Sequence, residues 1–128
     1  MYSIHSCPSL LKEGYNSYSP VALRQLFDGQ KVTPYLDFAT EDEEDLAAIS
    51  ASMDVLSISG AQEKYAACIK TNKISLSTEG DLTTHIIKPA PLAKINLRKQ
   101  IPANEHLTMQ IARQVYGIVT ADNGLCFS

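Results

Sequence analysis

Apolar positions along the chain change period several times, and each change marks an element. Residues Pro20 to Phe27 carry apolar side chains at helical spacing, with Ser19 placed to cap, Pro20 at the first helical position and Gly29 placed to stop the helix. Val32 to Phe38 is an extended stretch interrupted by Pro34. Thr40-Glu41-Asp42-Glu43 has the form of a capping box with an acidic first turn. It opens a helix that runs to Met53 and sets Leu46, Ile49 and Met53 on one face. Tyr65 to Lys70 and Lys73 to Ser77 flank Thr71-Asn72 and predict a tight β-hairpin. Glu79-Gly80-Asp81 turns the chain, and His85 to Lys88 predicts a third strand that ends where Pro89 removes a ladder donor.

The last third begins with an extended connection from Pro89 to Pro102. Its Lys94, Arg98 and Lys99 read as a solvated basic loop. A helix from Asn104 to Tyr116 places Leu107, Ile111 and Val115 at i, i+4 and i+8, with Gly117 as its stop. Ile118 to Thr120 and Leu125 to Phe127 predict short strands around an Asp122-Asn123-Gly124 turn. Runs of strands followed by a helix point to an α+β fold, a small twisted antiparallel sheet packed by helices.

Composition narrows the function classes. With 128 residues, 45% of them apolar and 20% charged, the chain suits one modest globular domain. A net charge of −3 with scattered Lys and Arg speaks against direct nucleic-acid binding. No apolar run approaches a membrane span, and Met1 to Ser6 has neither a basic nor an apolar signal region, so a cytoplasmic protein without a membrane partner is expected. Cys7, Cys68 and Cys126 are isolated and odd in number; free thiols, with no metal site and no disulfide framework, are the expectation.

The candidate chemistry lies between the second helix and the hairpin. Leu56-Ser57-Ile58-Ser59-Gly60-Ala61-Gln62-Glu63-Lys64 is a short polar loop with one glycine, bounded by apolar residues. Its backbone N–H groups can form an anion nest, with Lys64 and the hydroxyls adding contacts to phosphate. An ordinary loop before a strand has the same outline. Taken singly, Lys88 reads as a surface lysine at a strand end, and Glu105 as an acid favoured near a helix start.

In order, however, SISGAQEK, THIIKPAP and NEHLTMQIA resemble the motifs of the HipA family of bacterial serine/threonine kinases, at roughly that family's spacing. The resemblance covers Leu56 onward. Residues 1–55 are more loosely similar to the leader of the short HipT-type members, so a division into a leader (1–55) and a kinase-like N-terminal lobe (56–128) is expected. The resemblance implies that Ser59, Gly60, Ala61, Gln62, Glu63, Lys64 and Lys88 contact the nucleotide, that Glu105 is the partner of Lys88, and that Ser57 and Ser59 are autophosphorylation sites.

The same resemblance implies ATP as ligand, with Mg held by residues of a helical C-terminal lobe supplied in cis or in trans. It implies antitoxins of the HipB or HipS type as partners, any DNA contact being indirect. The protein substrate would be an aminoacyl-tRNA synthetase. Asp81 and Asp122 are turn residues unlike the family's catalytic and metal-binding acids. No catalytic residue and no metal ligand is therefore expected in this chain, which alone is expected not to transfer phosphate, whether it is a fragment, a truncated product or half of a split kinase. The alternative expectation is a non-catalytic module that binds an antitoxin or a separate C-lobe.

Overall fold

A computed structural model describes residues 3–40, 43–51, 63–91 and 97–128. They form a small α+β domain with a three-stranded antiparallel sheet and a few helices. The strands are β1 (Tyr65–Lys70), β2 (Lys73–Leu76) and β3 (His85–Ile87), in the order β2-β1-β3. Ala67 faces Leu76 across one edge of β1, and Tyr65 faces Ile87 across the other. The β1–β2 turn uses left-handed backbone at both Thr71 (φ 51°) and Asn72 (φ 63°), the twist that a two-residue hairpin needs. β2 stops at Leu76, one residue before the expected Ser77.

Helix α1 (Pro20–Phe27) forms where its caps direct it. Ser19 accepts the Ala22 N–H at 3.2 Å, and Asp28 turns left-handed before Gly29. Its apolar side joins Cys7, Tyr18 and Val32 of the leader to Ala67, Ile74 and Ile87 of the sheet in one buried cluster. The leader is therefore part of the same core as the sheet, across the expected division at residues 55 and 56. His85 fastens α1 to β3. Its Nε2 bonds the Leu26 carbonyl at 2.6 Å, and its ring lies 5.1 Å from that of Phe27.

Helix α2 is described over Glu43–Ala51. Ile49 is buried with Tyr65, against Phe38 and Leu76. Glu41, Asp42 and Met53, and the side chains of Glu43 and Leu46, lie outside what the structure describes, so the expected capping box and the Leu46–Met53 face fall there.

Helix α3 (Ile101–Gln114) departs from expectation in three ways. It starts three residues early, after a 3₁₀ turn at Arg98–Gln100, because Pro102 falls in the first helical turn, where a missing N–H leaves no bond unmade. It ends at Gln114, and the chain leaves it through Gly117 (φ 65°), with the Ile118 N–H bonded to the Ala112 carbonyl. Its inner side is not the apolar stripe. Leu107, Ile111 and Val115 are 46%, 43% and 69% exposed, whereas His106 and Gln110 are buried. The helix is turned by one residue, and it docks on the leader and tail instead of lying across the sheet.

The expected C-terminal hairpin is absent as well. Residues 117–126 carry no strand; the tail runs back over the leader and forms a single parallel bridge between Phe127 and Tyr35. Its backbone groups are satisfied there: Leu125 N–H donates to Pro8, Phe127 N–H to Pro34, and Leu36 N–H to Phe127. Tyr18 Oη donates to the Leu125 carbonyl at 2.6 Å. At Gly124 the approach is so close that a Cβ would lie 2.9 Å from Leu26 Cδ1.

Candidate functional site: the lysine at the end of β3

β3 ends at Ile87, so Lys88 leaves the sheet immediately beyond its last pair, next to the buried Pro89. The β1–β3 register pairs Tyr65 with Ile87, so Lys64 immediately precedes β1 at the end of the sheet where Lys88 follows β3. Two cations thus flank the terminal pair at the same end of the sheet.

Glu105 comes to this end from α3. Because the helix starts at Ile101, Glu105 lies in its second turn, and its Oε1 accepts from Lys88 Nζ at 2.6 Å. Both side chains remain more than a third exposed, 37% for Lys88 and 40% for Glu105. An exposed pair of this kind adds little to stability, about 0–1 kcal/mol. What it does supply is position: the ammonium is held at the sheet end while two of its three N–H donors stay available to an anion.

The orientation of α3, and hence of Glu105, is set on the next residue. His106 Nδ1 donates to Asn123 Oδ1 at 2.6 Å, and Gln110 Nε2 donates to the same oxygen at 3.0 Å. Asn123 Nδ2 donates to the Ala121 carbonyl, which fixes the amide orientation, and Ser9 Oγ donates to the Asn123 carbonyl. Gln114 continues the row by donating to Gln110 Oε1 and to the Leu10 carbonyl. Burial lowers the pKa of His106 against the opposing pull of Asn123 and the Ser9 carbonyl. Its Nε2 is buried without a partner, as suits a neutral ring.

Of the residues expected at the nucleotide, the structure brings Lys88 and Glu105 together; Lys64 lies one residue before β1 and Glu63 one residue earlier, both half-buried. Ser57, Ser59, Gly60, Ala61 and Gln62 lie outside the described residues. Among the described residues no group of three or more His, Cys, Asp or Glu side chains is arranged to hold a metal ion. Asp81 is occupied in its turn, bonded to Lys70 at 2.7 Å and to the Thr78 N–H, and these contacts bring its carboxyl down to about 2. Asp122 pairs with Arg113. No helix among the described residues is long and apolar enough to cross a membrane.

The residues missed from sequence are His106, Gln110 and Asn123. The i, i+4, i+8 spacing of His106, Gln110 and Gln114 was a signal, but polar residues at helical spacing ordinarily mark the solvent side.

No protein-family description, curated protein or solved structure matches this chain.

Proposed function

We propose that this chain is the nucleotide-facing N-terminal lobe of a HipA/HipT-like serine/threonine kinase, the toxin of a toxin–antitoxin system. The observation that carries the reading is the 2.6 Å contact between Lys88, at a strand end, and Glu105, on the following helix. Phosphoryl transfer is mostly positioning and neutralisation of charge, and a lysine held by a helix-borne carboxylate beside a phosphate loop is one of its recurring parts.

In this reading Lys88 contacts the α- and β-phosphates of ATP while Glu105 keeps its ammonium in place. Lys64 and the loop from Ser59 cover the remaining phosphates. Magnesium, when bound, would neutralise charge on the phosphates; the resemblance implies that its ligands and the catalytic base belong to a C-terminal lobe. This chain alone binds but does not transfer. Phosphorylation at Ser57 or Ser59 would add up to about two negative charges where the nucleotide phosphates sit, and would oppose ATP binding. The acceptor is a protein hydroxyl, an aminoacyl-tRNA synthetase being the substrate that the resemblance implies.

Titrating ATP with and without magnesium into the chain and into Lys88→Ala, alongside intact mass, tests the proposal. The expected result is binding by the parent that is lost in Lys88→Ala and weakened in Glu105→Gln. Equal binding by all three proteins would refute it.

One observation favours a second reading, a non-catalytic interaction module. The outer side of α3 and the residues after it expose Leu107, Ile111, Val115, Tyr116, Ile118 and Val119 together, and exposed apolar patches commonly mark interaction surfaces. Absence of ATP binding together with concentration-dependent self-association in sedimentation would favour the module.

A further inference from the structure

The other end of β1 carries a different cluster of groups. There the leader crosses the hairpin turn, and the Thr33 N–H donates to the Asn72 carbonyl at 3.0 Å, tying the two segments together. Between them lies an open cavity of about 460 Å³, lined by Ser17, Leu23, Lys31, Val32, Thr33, Thr71, Asn72 and Lys73. That volume is in the range of small-molecule sites, about 300–1,000 Å³. β1 is six residues long, so this cavity lies on the order of 20 Å along the sheet from Lys88.

Its chemistry is one-sided. Lys31 and Lys73 are both exposed, and among the described residues neither has an ion-pair partner; the lining contains no carboxylate. Ser17, Thr33 and Thr71 add hydroxyls. Thr33 Oγ1 accepts from the Tyr35 N–H, so its own O–H is left to donate. Leu23 and Val32 provide an apolar side, with Val32 belonging to the core and therefore rigid.

A lining with two lysines, three hydroxyl residues and no carboxylate matches a dianion better than a monoanion, and the apolar side suits a ligand with a hydrocarbon or aromatic portion. We propose that this cavity binds a small organic phosphate monoester, with Lys31 and Lys73 taking the phosphate and Leu23 and Val32 taking the apolar part. The site is independent of the proposed nucleotide site, because it shares no residue with it.

The test is an amide-resolved NMR titration with phenyl phosphate as the probe, and with phenol and inorganic phosphate as separate arms. Saturable shifts confined to the cavity residues are expected, with phenyl phosphate binding more tightly than either component. Affinity should fall about tenfold in the Lys31→Gln/Lys73→Gln double variant, whose changes lie at exposed positions. It should also fall as salt is raised on the unaltered protein, a readout that needs no variant. Absence of saturable shifts at these residues would overturn the proposal, as would shifts centred on Lys64 and Lys88, phenol binding as well as phenyl phosphate, or an affinity indifferent to salt and to the lysines.

Discussion

Glu105 and His106 are neighbours on α3, yet they belong to regions of opposite character. Glu105 meets Lys88 in an exposed ion pair at the end of the sheet, while His106 is buried against Asn123 in a network that also holds Gln110 and Ser9. The buried side governs stability, because removing one partner strands desolvated donors, whereas an exposed pair can be lost to water at little expense. The rotation of α3 is therefore held by the row that His106 begins, and the residue beside His106 is left to position a lysine. Structural and functional demands on the helix are separated by a single step along the chain.

Removing Asn123 breaks this division most severely. Asn123→Ala leaves the His106 Nδ1–H and the Gln110 amide without their shared acceptor, at about 1–3 kcal/mol for each buried donor. Thermal melting is expected to fall by on the order of 10–20 °C, and the Lys88–Glu105 contact to loosen with it. Melting unchanged by Asn123→Ala would show that the network does not hold the helix.

Acid acts on the same buried side more gently. Burial places the folded pKa of His106 below its ordinary 6.5, so the unfolded chain takes up the proton first. The stabilisation is complete above about pH 6.5 and declines as the pH falls through that value toward the folded pKa. Imidazole resonances followed by NMR should show His106 titrating below 6.5, while thermal melting declines over the same window. A midpoint above 6.5 would reverse the sign.

The smallest effect on stability is expected on the exposed side. Lys88→Ala should change unfolding free energy by less than about 1 kcal/mol, since both partners are well solvated. Denaturant unfolding measures this directly, and a loss several times larger would make the pair structural and weaken its proposed role at phosphate.

Much of the fold was legible because its signals are local. Ser19 and Pro20 start α1, the Thr71-Asn72 turn closes the hairpin, and Pro89 follows the end of β3. The juxtaposition of Lys88 with Glu105 was expected from the resemblance of the motifs and not from spacing. The inner side of α3 was misread because Leu107, Ile111 and Val115 have the period of a buried stripe, yet the positions one residue earlier are those that face the tail. The tail itself was misread as a hairpin. Asp122-Asn123-Gly124 has turn chemistry, but Asn123 spends its side chain on α3 and Gly124 is pressed against Leu26.

Taken by itself, the amino-acid sequence determined the caps, the hairpin, the third strand and the class of the domain, because each depends on backbone preferences over a few residues. Tertiary structure alone decided which side of α3 is buried, where residues 117–128 run, and that Lys31 and Lys73 share a cavity. These outcomes depend on partners far apart in the chain, Ser9 with Asn123 and Thr33 with Asn72. A polar side chain gives no local sign of whether it will meet water or a buried acceptor until the fold brings that acceptor to it.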